Sequence, residues 1–228
     1  MKKKERIMAT KKQPAEKKFS KEILIGLYMN YVLEHEHMPK SVYKFAKENK
    51  ITEQQFYDYF GSFEGLRKGI WNQFYLNTMQ LMHKSLEFEA FTPREKLLTF
   101  YYTFFELLTA NRSYVLLTLN ENPDKFKNLE QLKELRKDIR VFAKGLISEG
   151  NENKNNQILK QSETVFSEAT WVQFLFILKF WVDDNSTKFE STDIVIEKSV
   201  NTVFDLFDNT PLERVIDLGK FLWKEKMN

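Results

Sequence analysis

Side chains that can form specific hydrogen bonds are concentrated in one short stretch, ITEQQFYDYF, at positions 51–60. If this stretch is helical, Phe56 and Phe60 fall on one side of the helix, four residues apart. The opposite side carries polar residues: Gln54, Gln55 and Asp58, flanked by Tyr57 and Tyr59. Glutamine can pair with adenine through two hydrogen bonds, whereas a carboxylate pairs typically with the N4 amine of cytosine and is repelled by phosphate. The stretch therefore predicts a base-reading surface that one acidic residue opposes.

Other residue types that perform chemistry are few and poorly spaced. The chain has no cysteine; His35 and His37 diverge on a helix, and His83 stands alone. Three acidic residues fit no metal-ligand spacing and are better explained as helix caps and loop formers: Asp183, Asp184 and Asp193. No nucleophile–base motif or glycine-rich phosphate loop occurs. We therefore expect no catalytic residue, no metal site, no cofactor and no enzyme activity.

The elements that must position the polar stretch are helical. From Phe19 onward, apolar residues recur at steps of three and four, and no strand-like alternation is present. Ser20, Thr52 and Ser62 each precede such a segment as helix caps, and Pro93 suits a first helical position. The pattern predicts an all-α fold of about nine or ten helices, with one helix over 53–60 and a last one over 211–226. The tight turn at 49–52 joins two short helices as in a helix-turn-helix.

Charge is distributed unevenly along the chain. Residues 1–19 hold eight Lys or Arg against two Glu, whereas residues 21–70 hold seven of each sign. Such a tail is too polar to pack, and it is either a solvated, disordered arm or a phosphate-seeking arm beside a DNA-binding domain. Within the neutral segment, four lysines would attract phosphate: Lys40, Lys44, Lys47 and Lys50. Glu53 and Asp58 would repel it.

The longest apolar run is WVQFLFILKFWV, at positions 171–182, and it contains Gln173 and Lys179. Twelve residues are too few for a helix to cross a bilayer, which takes about 20. The lysine-rich start has no apolar core of the kind that signal peptides carry. We therefore expect no membrane insertion and a cytoplasmic location.

The segment SVYKFAKENKITEQQFYDYFGSFEGLRKGI, at 41–70, resembles the N-terminal domain of the TetR family of bacterial transcriptional regulators. The matching positions are Ser41-Val42, Phe45-Ala46, Ile51-Thr52, Phe56-Tyr57, Tyr59-Phe60, Ser62, Glu64 and Leu66. Three positions depart from the family pattern. Phe63 replaces a usual lysine, Asn49 or Lys50 replaces a usual glycine, and Asp58 often has a basic counterpart.

The resemblance implies a ligand-responsive transcriptional regulator, typically a repressor, that binds a palindromic DNA operator as a homodimer. It implies a helix-turn-helix domain over 20–66 behind the arm at 1–19, and a ligand-binding and dimerisation bundle over 67–228. The residues expected to meet double-stranded DNA are Ser41, Lys44, Thr52, Gln54, Gln55, Tyr57 and Tyr59.

Two aromatic stretches, 100–108 and 171–181, are apolar nearly all round, and ordinary core packing accounts for both. The resemblance adds an apolar small-molecule effector between them and dimerisation through two long helices near 160–183 and 191–208. The candidate pocket residues are Tyr101, Phe104, Phe105, Leu108, Trp171, Phe174 and Leu178.

A second hypothesis comes from the residues that follow the second aromatic stretch. The Trp-x-x-Asp-x-Ser sequence at 181–186 is similar to a pattern in TetR-fold proteins of ubiquinone biosynthesis. The alternative function is therefore a lipid- or quinone-binding protein whose helix-turn-helix domain, residues 20–66, no longer binds DNA. We call this domain the reading head.

Overall fold

A computed structural model of the chain describes residues 19–152 and 162–209, and every regular element in these two ranges is helical. Ten α-helices follow one another there: α1 (Lys21–His35), α2 (Val42–Glu48), α3 (Glu53–Tyr57), α4 (Phe63–Met82), α5 (Pro93–Ala110), α6 (Arg112–Leu119), α7 (Lys125–Leu129), α8 (Lys133–Glu152), α9 (Glu163–Asp183) and α10 (Glu190–Asn209). The all-α prediction is confirmed. The helix predicted over 211–226 and the basic arm lie outside the described residues, apart from Phe19.

The helix starts lie where short polar side chains can accept from free backbone N–H groups. Ser20 Oγ accepts from the N–H of Ile23 at 3.4 Å, and Ser62 Oγ accepts from Gly65 at 3.1 Å. Pro93 opens α5, as the sequence predicts, because its missing N–H costs nothing at that position. The predicted caps are therefore confirmed.

Aromatic rings hold α1 to α4 together as one small core. Phe45 of α2 is fully buried, and its ring centroid lies 6.2 Å from Phe56 of α3 and 5.7 Å from Phe63 of α4. Tyr28 of α1 stacks on Phe63 at 5.6 Å. Phe63, which stands where the family usually has lysine, is therefore a core residue and does not point to solvent.

The third helix is shorter than the predicted span of 53–60, because the chain tightens after Tyr57. The N–H of Asp58 still bonds Gln54 O at 2.8 Å, but the N–H of Tyr59 bonds Phe56 O, only three residues back. This turn brings Phe60 into the core against Gly69 of α4. A Cβ at position 69 would lie 2.4 Å from the Phe60 ring, so only glycine admits this contact.

The turn between α2 and α3 contains a backbone conformation that favours glycine. Lys50 has φ 55°, in the left-handed region, whereas Asn49 has φ −88°. The left-handed conformation costs an L-residue about 1–2 kcal/mol. The departure from the family's usual glycine therefore carries strain at Lys50 and not at Asn49.

Replacing Lys50 with glycine should relieve this strain and raise the free energy of unfolding by about 1 kcal/mol, after the entropy that glycine gains in the unfolded chain is subtracted. Thermal unfolding followed by circular dichroism checks this. Lys47→Gly, within α2, is the matched control and should lower stability by about the same amount. Equal losses for both variants would contradict the assignment of strain to Lys50.

The remaining helices form a bundle around α5. Helices α8 and α9 pack along each other, α5 contacts α4, α8 and α10, and α10 also packs on α9. Helix α4 runs unbroken through residue 66, so the domain boundary predicted there falls inside a helix that belongs to both parts. The division of the chain at residue 66 stays a prediction.

Helix α9 is longer than the apolar run on which the expectation of no membrane insertion was based. It has 21 residues and, among the described residues, is the one helix long and apolar enough to cross a bilayer. Half of its most apolar segment is buried against the rest of the bundle. Such burial is typical of the core helix of a water-soluble bundle.

Candidate nucleic-acid interface and ligand groove

The start of α3 fixes one of the two glutamines that were predicted to read bases. Thr52 Oγ1 accepts from the N–H of Gln55 at 3.1 Å, and Gln55 Oε1 accepts from the N–H of Thr52 at 2.8 Å. This reciprocal capping box satisfies two free donors at the helix start. Thr52 and the carbonyl end of Gln55 therefore stabilise the helix, and the Gln55 amide nitrogen remains as the donor to a ligand.

The other glutamine lies on the exposed face of α3 and pairs with Asp58, the acidic residue that was predicted to oppose DNA. Gln54 Nε2 donates to Asp58 Oδ1 at 2.7 Å, across one helical turn. This hydrogen bond occupies one carboxylate oxygen and leaves Gln54 Oε1 available as an acceptor. The amide nitrogen carries a second hydrogen, so Gln54 can offer Oε1 and one N–H to a base edge while Asp58 holds the other N–H, and the two residues act as one unit.

The two tyrosines beside them have different environments. Tyr57 is exposed and packs edge-on against Phe56 at 5.5 Å. Tyr59 donates its hydroxyl hydrogen bond to the carbonyl of Phe19 at 3.2 Å, and the two rings lie 6.1 Å apart. Tyr59 therefore holds the start of the described chain beside α3, and the basic arm joins the protein at that point.

The segment 40–58, which contains α2 and α3, carries four exposed lysines against three exposed acidic residues. Lys40, Lys44, Lys47 and Lys50 are all exposed, whereas Glu48 is engaged by His35 at 3.1 Å. Ser41 Oγ caps α2 by accepting from the N–H of Lys44 at 3.3 Å. Exposed lysines around a helix face are typical of phosphate-contacting surfaces. The excess supports the view that lysines offset Glu53 and Asp58.

Sequence reasoning missed one residue on this surface, Tyr43 of α2. Its ring is more exposed than that of Tyr57 or Tyr59, and it lies between Lys40 and Lys44 in sequence. Single exposed aromatics are common on protein surfaces, so the place of Tyr43 between two lysines, and not its exposure alone, makes it a candidate for contact with nucleic acid. The sequence already indicated this position: Phe45 and Ala46 are the core residues of α2, and Tyr43 falls on a different side of the helix.

A hydrogen-bonded network joins α4 to the following helices. Arg67 of α4 forms an ion pair with Glu121 at 2.7 Å and reaches the carbonyl of Thr118 at 3.4 Å. Trp71 donates to Gln131 Oε1 at 2.9 Å, and Gln131 Nε2 donates to the same Thr118 carbonyl at 3.1 Å. The end of α6 is therefore bonded directly to α4, the helix that follows α3.

The seven predicted pocket residues come together between α5 and α9, and all of them are buried. Phe104 and Phe174 meet at 5.5 Å, and Trp171 stacks on Phe174 at 5.3 Å. The Tyr101 hydroxyl donates to the Thr170 carbonyl at 3.0 Å, and burial raises the pKa of Tyr101 well above its ordinary value. Phe105 and Leu108 extend the same cluster. The residues thus share one aromatic core, and their contact with a ligand stays a prediction.

One of the seven, Leu178, also lines a groove of about 220 Å³ at the surface between the end of α6, α7 and the second half of α9. The walls are apolar: Leu119, Leu129, Leu175, Leu178 and Val182. Polar residues stand around them: Asn120, Lys125, Lys179 and Asp183. Sequence reasoning missed this groove because its walls come from segments more than forty residues apart.

The acidic residues after α9 have structural partners. Asp184 accepts from the N–H of Ser186 at 2.8 Å and from the hydroxyl of Thr192 at 2.6 Å. Burial works against the charged form, but the hydrogen bonds from Thr192 and Ser186 outweigh it and lower the pKa of Asp184. The guanidinium of Arg112 lies 4.5 Å from the centroids of both Trp181 and Phe189. The Trp-x-x-Asp-x-Ser sequence is therefore accounted for as the corner between α9 and α10.

Comparison with known proteins places the chain in a family. A family model described as the tetracyclin repressor-like C-terminal domain matches residues 96–222, more than half of the chain. A search of curated proteins gave no match. The chain belongs to the TetR family of transcriptional regulators. Members of this family are generally not enzymes, and they are soluble cytoplasmic proteins.

Proposed function

We propose that this chain is a ligand-responsive transcriptional regulator that binds a palindromic DNA operator as a homodimer. The observation that carries the proposal is the exposed polar face of α3, which stands on a phenylalanine-packed core and follows a segment, 40–50, with four exposed lysines. In a helix-turn-helix this helix enters the major groove and directs its N-terminal side chains at base edges. Gln54 is the residue assigned to base reading, with the amide nitrogen of Gln55 beside it.

The exposed face of α9 supports the homodimer. A stripe of apolar residues runs along it at steps of three and four, beside the buried face: Val165, Ala169, Val172, Phe176 and Phe180. Val172 and Phe176 are exposed, whereas the other three are half-buried. We call these five residues the α9 stripe. An apolar stripe with this spacing is typical of a helix that pairs with another helix. A two-fold pairing through this stripe gives two reading heads related by the symmetry that a palindromic site requires.

The effector acts, in this proposal, by favouring one arrangement of the two reading heads over another. A ligand shifts such an equilibrium only by the difference between its affinities for the two states. The network of Arg67, Thr118 and Glu121 connects the bundle to α4, and α4 carries the reading head. This connection gives ligand binding a physical route to the DNA-binding helices.

Substitutions at Gln54 and Asp58 test the reading head. Gln54→Ala is expected to weaken the operator complex by about 1–3 kcal/mol, the discrimination of one good bidentate base contact, and to affect random DNA far less. Asp58→Asn removes a negative charge from the same face, so it should tighten operator and random DNA alike, by about threefold. Fluorescence anisotropy with labelled duplexes measures both complexes.

The matched control is Lys44→Ala, which should weaken both complexes equally because phosphate contacts carry no sequence information. In the double variant, the changes in binding free energy caused by Gln54→Ala and Asp58→Asn should not add, because the two side chains share a hydrogen bond. If none of these substitutions alters binding to any DNA, the reading head is a relic. A lipid- or quinone-binding function would then be the better account.

A further inference from the structure

We propose that the groove between the end of α6, α7 and α9 binds an amphipathic organic anion, a short acyl carboxylate, and that its occupation releases Arg67 of α4 from residues 118–121. This inference rests on the proposed function and deepens it, because it names the effector site and the chemical class of the effector. It assigns the site to a surface groove and not to the aromatic core at Tyr101 and Phe174.

The shape of the groove favours a small apolar body. Its volume of about 220 Å³ corresponds to about seven water molecules at liquid density. It is smaller than the usual range of about 300–1,000 Å³ for drug-sized ligands. Leucine and valine side chains form its walls, so they stabilise an aliphatic chain by removing it from water. An acyl chain of about eight carbons fills a comparable volume.

The charges at the rim favour an anion. Lys179 pairs with Asp183, one turn further along α9, so these two groups offset each other. Lys125 has no ion-pair or hydrogen-bond partner in the part of the chain that the structure describes, and it lies at the groove. One apolar cleft with one uncompensated ammonium group at its mouth is complementary to an aliphatic chain that ends in a carboxylate.

The position of the groove couples it to the reading head. Four consecutive residues serve both sites: Leu119 and Asn120 line the groove, while Thr118 and Glu121 hold Arg67. A ligand that displaces Leu119 or Asn120 therefore also moves the partners of Arg67. Two buried polar atoms at this contact, Arg67 Nε and the Tyr114 hydroxyl, have no hydrogen-bond partner among the described residues. An incompletely satisfied polar contact costs less to rearrange than a complete one.

Titration calorimetry with sodium octanoate, 1-octanol and octylamine tests the site without DNA. Octanoate should bind the wild-type protein more tightly than octanol, and octylamine should bind most weakly. Lys125→Glu should weaken octanoate by about tenfold, since it replaces attraction by repulsion at an exposed site, and should leave octanol within about twofold. Leu129→Glu puts a charge into the apolar wall and should abolish binding of both. Leu86→Glu, at a side chain that is 99% exposed on the α4–α5 connection, is the matched control and should change nothing.

The coupling is tested separately with Glu121→Gln. This variant should bind octanoate as the wild type does, but octanoate should change its DNA affinity by a smaller factor than it does for the wild type. Glu130→Gln, at an exposed neighbouring position, should behave as the wild type.

Each failure has a distinct meaning. Octanoate affinity unaffected by Lys125→Glu and Leu129→Glu would overturn the proposed site. A change of oligomeric state in Leu129→Glu would assign the groove to a second copy of the chain and would equally overturn it. DNA binding that responds to some other compound but not to octanoate would leave the proposed function standing without this site. If the protein binds octanoate but binds no DNA, the proposed function is refuted and the proposed octanoate site is not.

Discussion

Replacing Phe176 with glutamate is expected to convert the protein from a dimer to a monomer at micromolar concentration. Phe176 lies in the middle of the α9 stripe and is 55% exposed within a single chain. Glutamate is therefore tolerated in the monomer, but the dimer would bury an unpaired charge, at a cost of about 3–5 kcal/mol. The dissociation constant of the dimer should rise by more than about a hundredfold.

Light scattering coupled to size-exclusion chromatography measures this change directly. Operator affinity should fall in parallel, because each half-site would then be bound by an independent reading head. Val141→Glu is the matched control: Val141 is 70% exposed on α8, outside the α9 stripe, and its replacement should leave the dimer intact. A wild-type protein that is monomeric at micromolar concentration would contradict the dimer proposal.

Removal of residues 1–18 is expected to weaken binding to operator and random DNA by similar factors. The arm holds eight Lys or Arg, and Tyr59 fixes its point of attachment at Phe19, beside α3. Each cation that meets a phosphate contributes about 0.9 to the slope of log affinity against log salt. The slope should therefore decrease in magnitude by at least about two.

A second variant separates the charge of the arm from its length. An arm of unchanged length in which glutamine replaces all eight Lys and Arg should behave like the truncated protein. An unchanged salt slope in both variants would show that the arm is only a solvated tail. An altered ratio of operator to random affinity would show instead that the arm reads sequence.

The local parts of the fold were predictable because their causes are local. Helix caps such as Ser20 and Ser62 act on a backbone N–H three residues away, and the Phe56–Phe60 spacing places both rings in one core. The end of α3 was less predictable, because the polar pair Gln54–Asp58 satisfies itself and the chain tightens into a turn afterwards. Strain at Lys50 required the backbone angles, since the sequence left Asn49 and Lys50 as alternatives.

The long-range parts of the candidate sites were not predictable from one sequence. The groove joins Leu119 to Leu175, and the network joins Arg67 to Glu121, across separations that no periodicity connects. The aromatic stretches of α5 and α9 indicated a pocket between them, but aromatic composition does not distinguish a lined cavity from a packed core. The α9 stripe was present in the sequence, yet the buried face of the same helix concealed it because α9 is apolar on most sides.

The central claim is that this TetR-family chain still reads DNA. The most direct measurement is retention of the full-length protein on the DNA that flanks its own gene, with salt varied and with the Gln54→Ala variant in parallel. The account predicts retention that outlasts retention on random DNA as salt rises, a steep linear salt dependence, and loss of this advantage in Gln54→Ala. Equal retention of wild type and Gln54→Ala on flanking and random DNA at every salt concentration would contradict it.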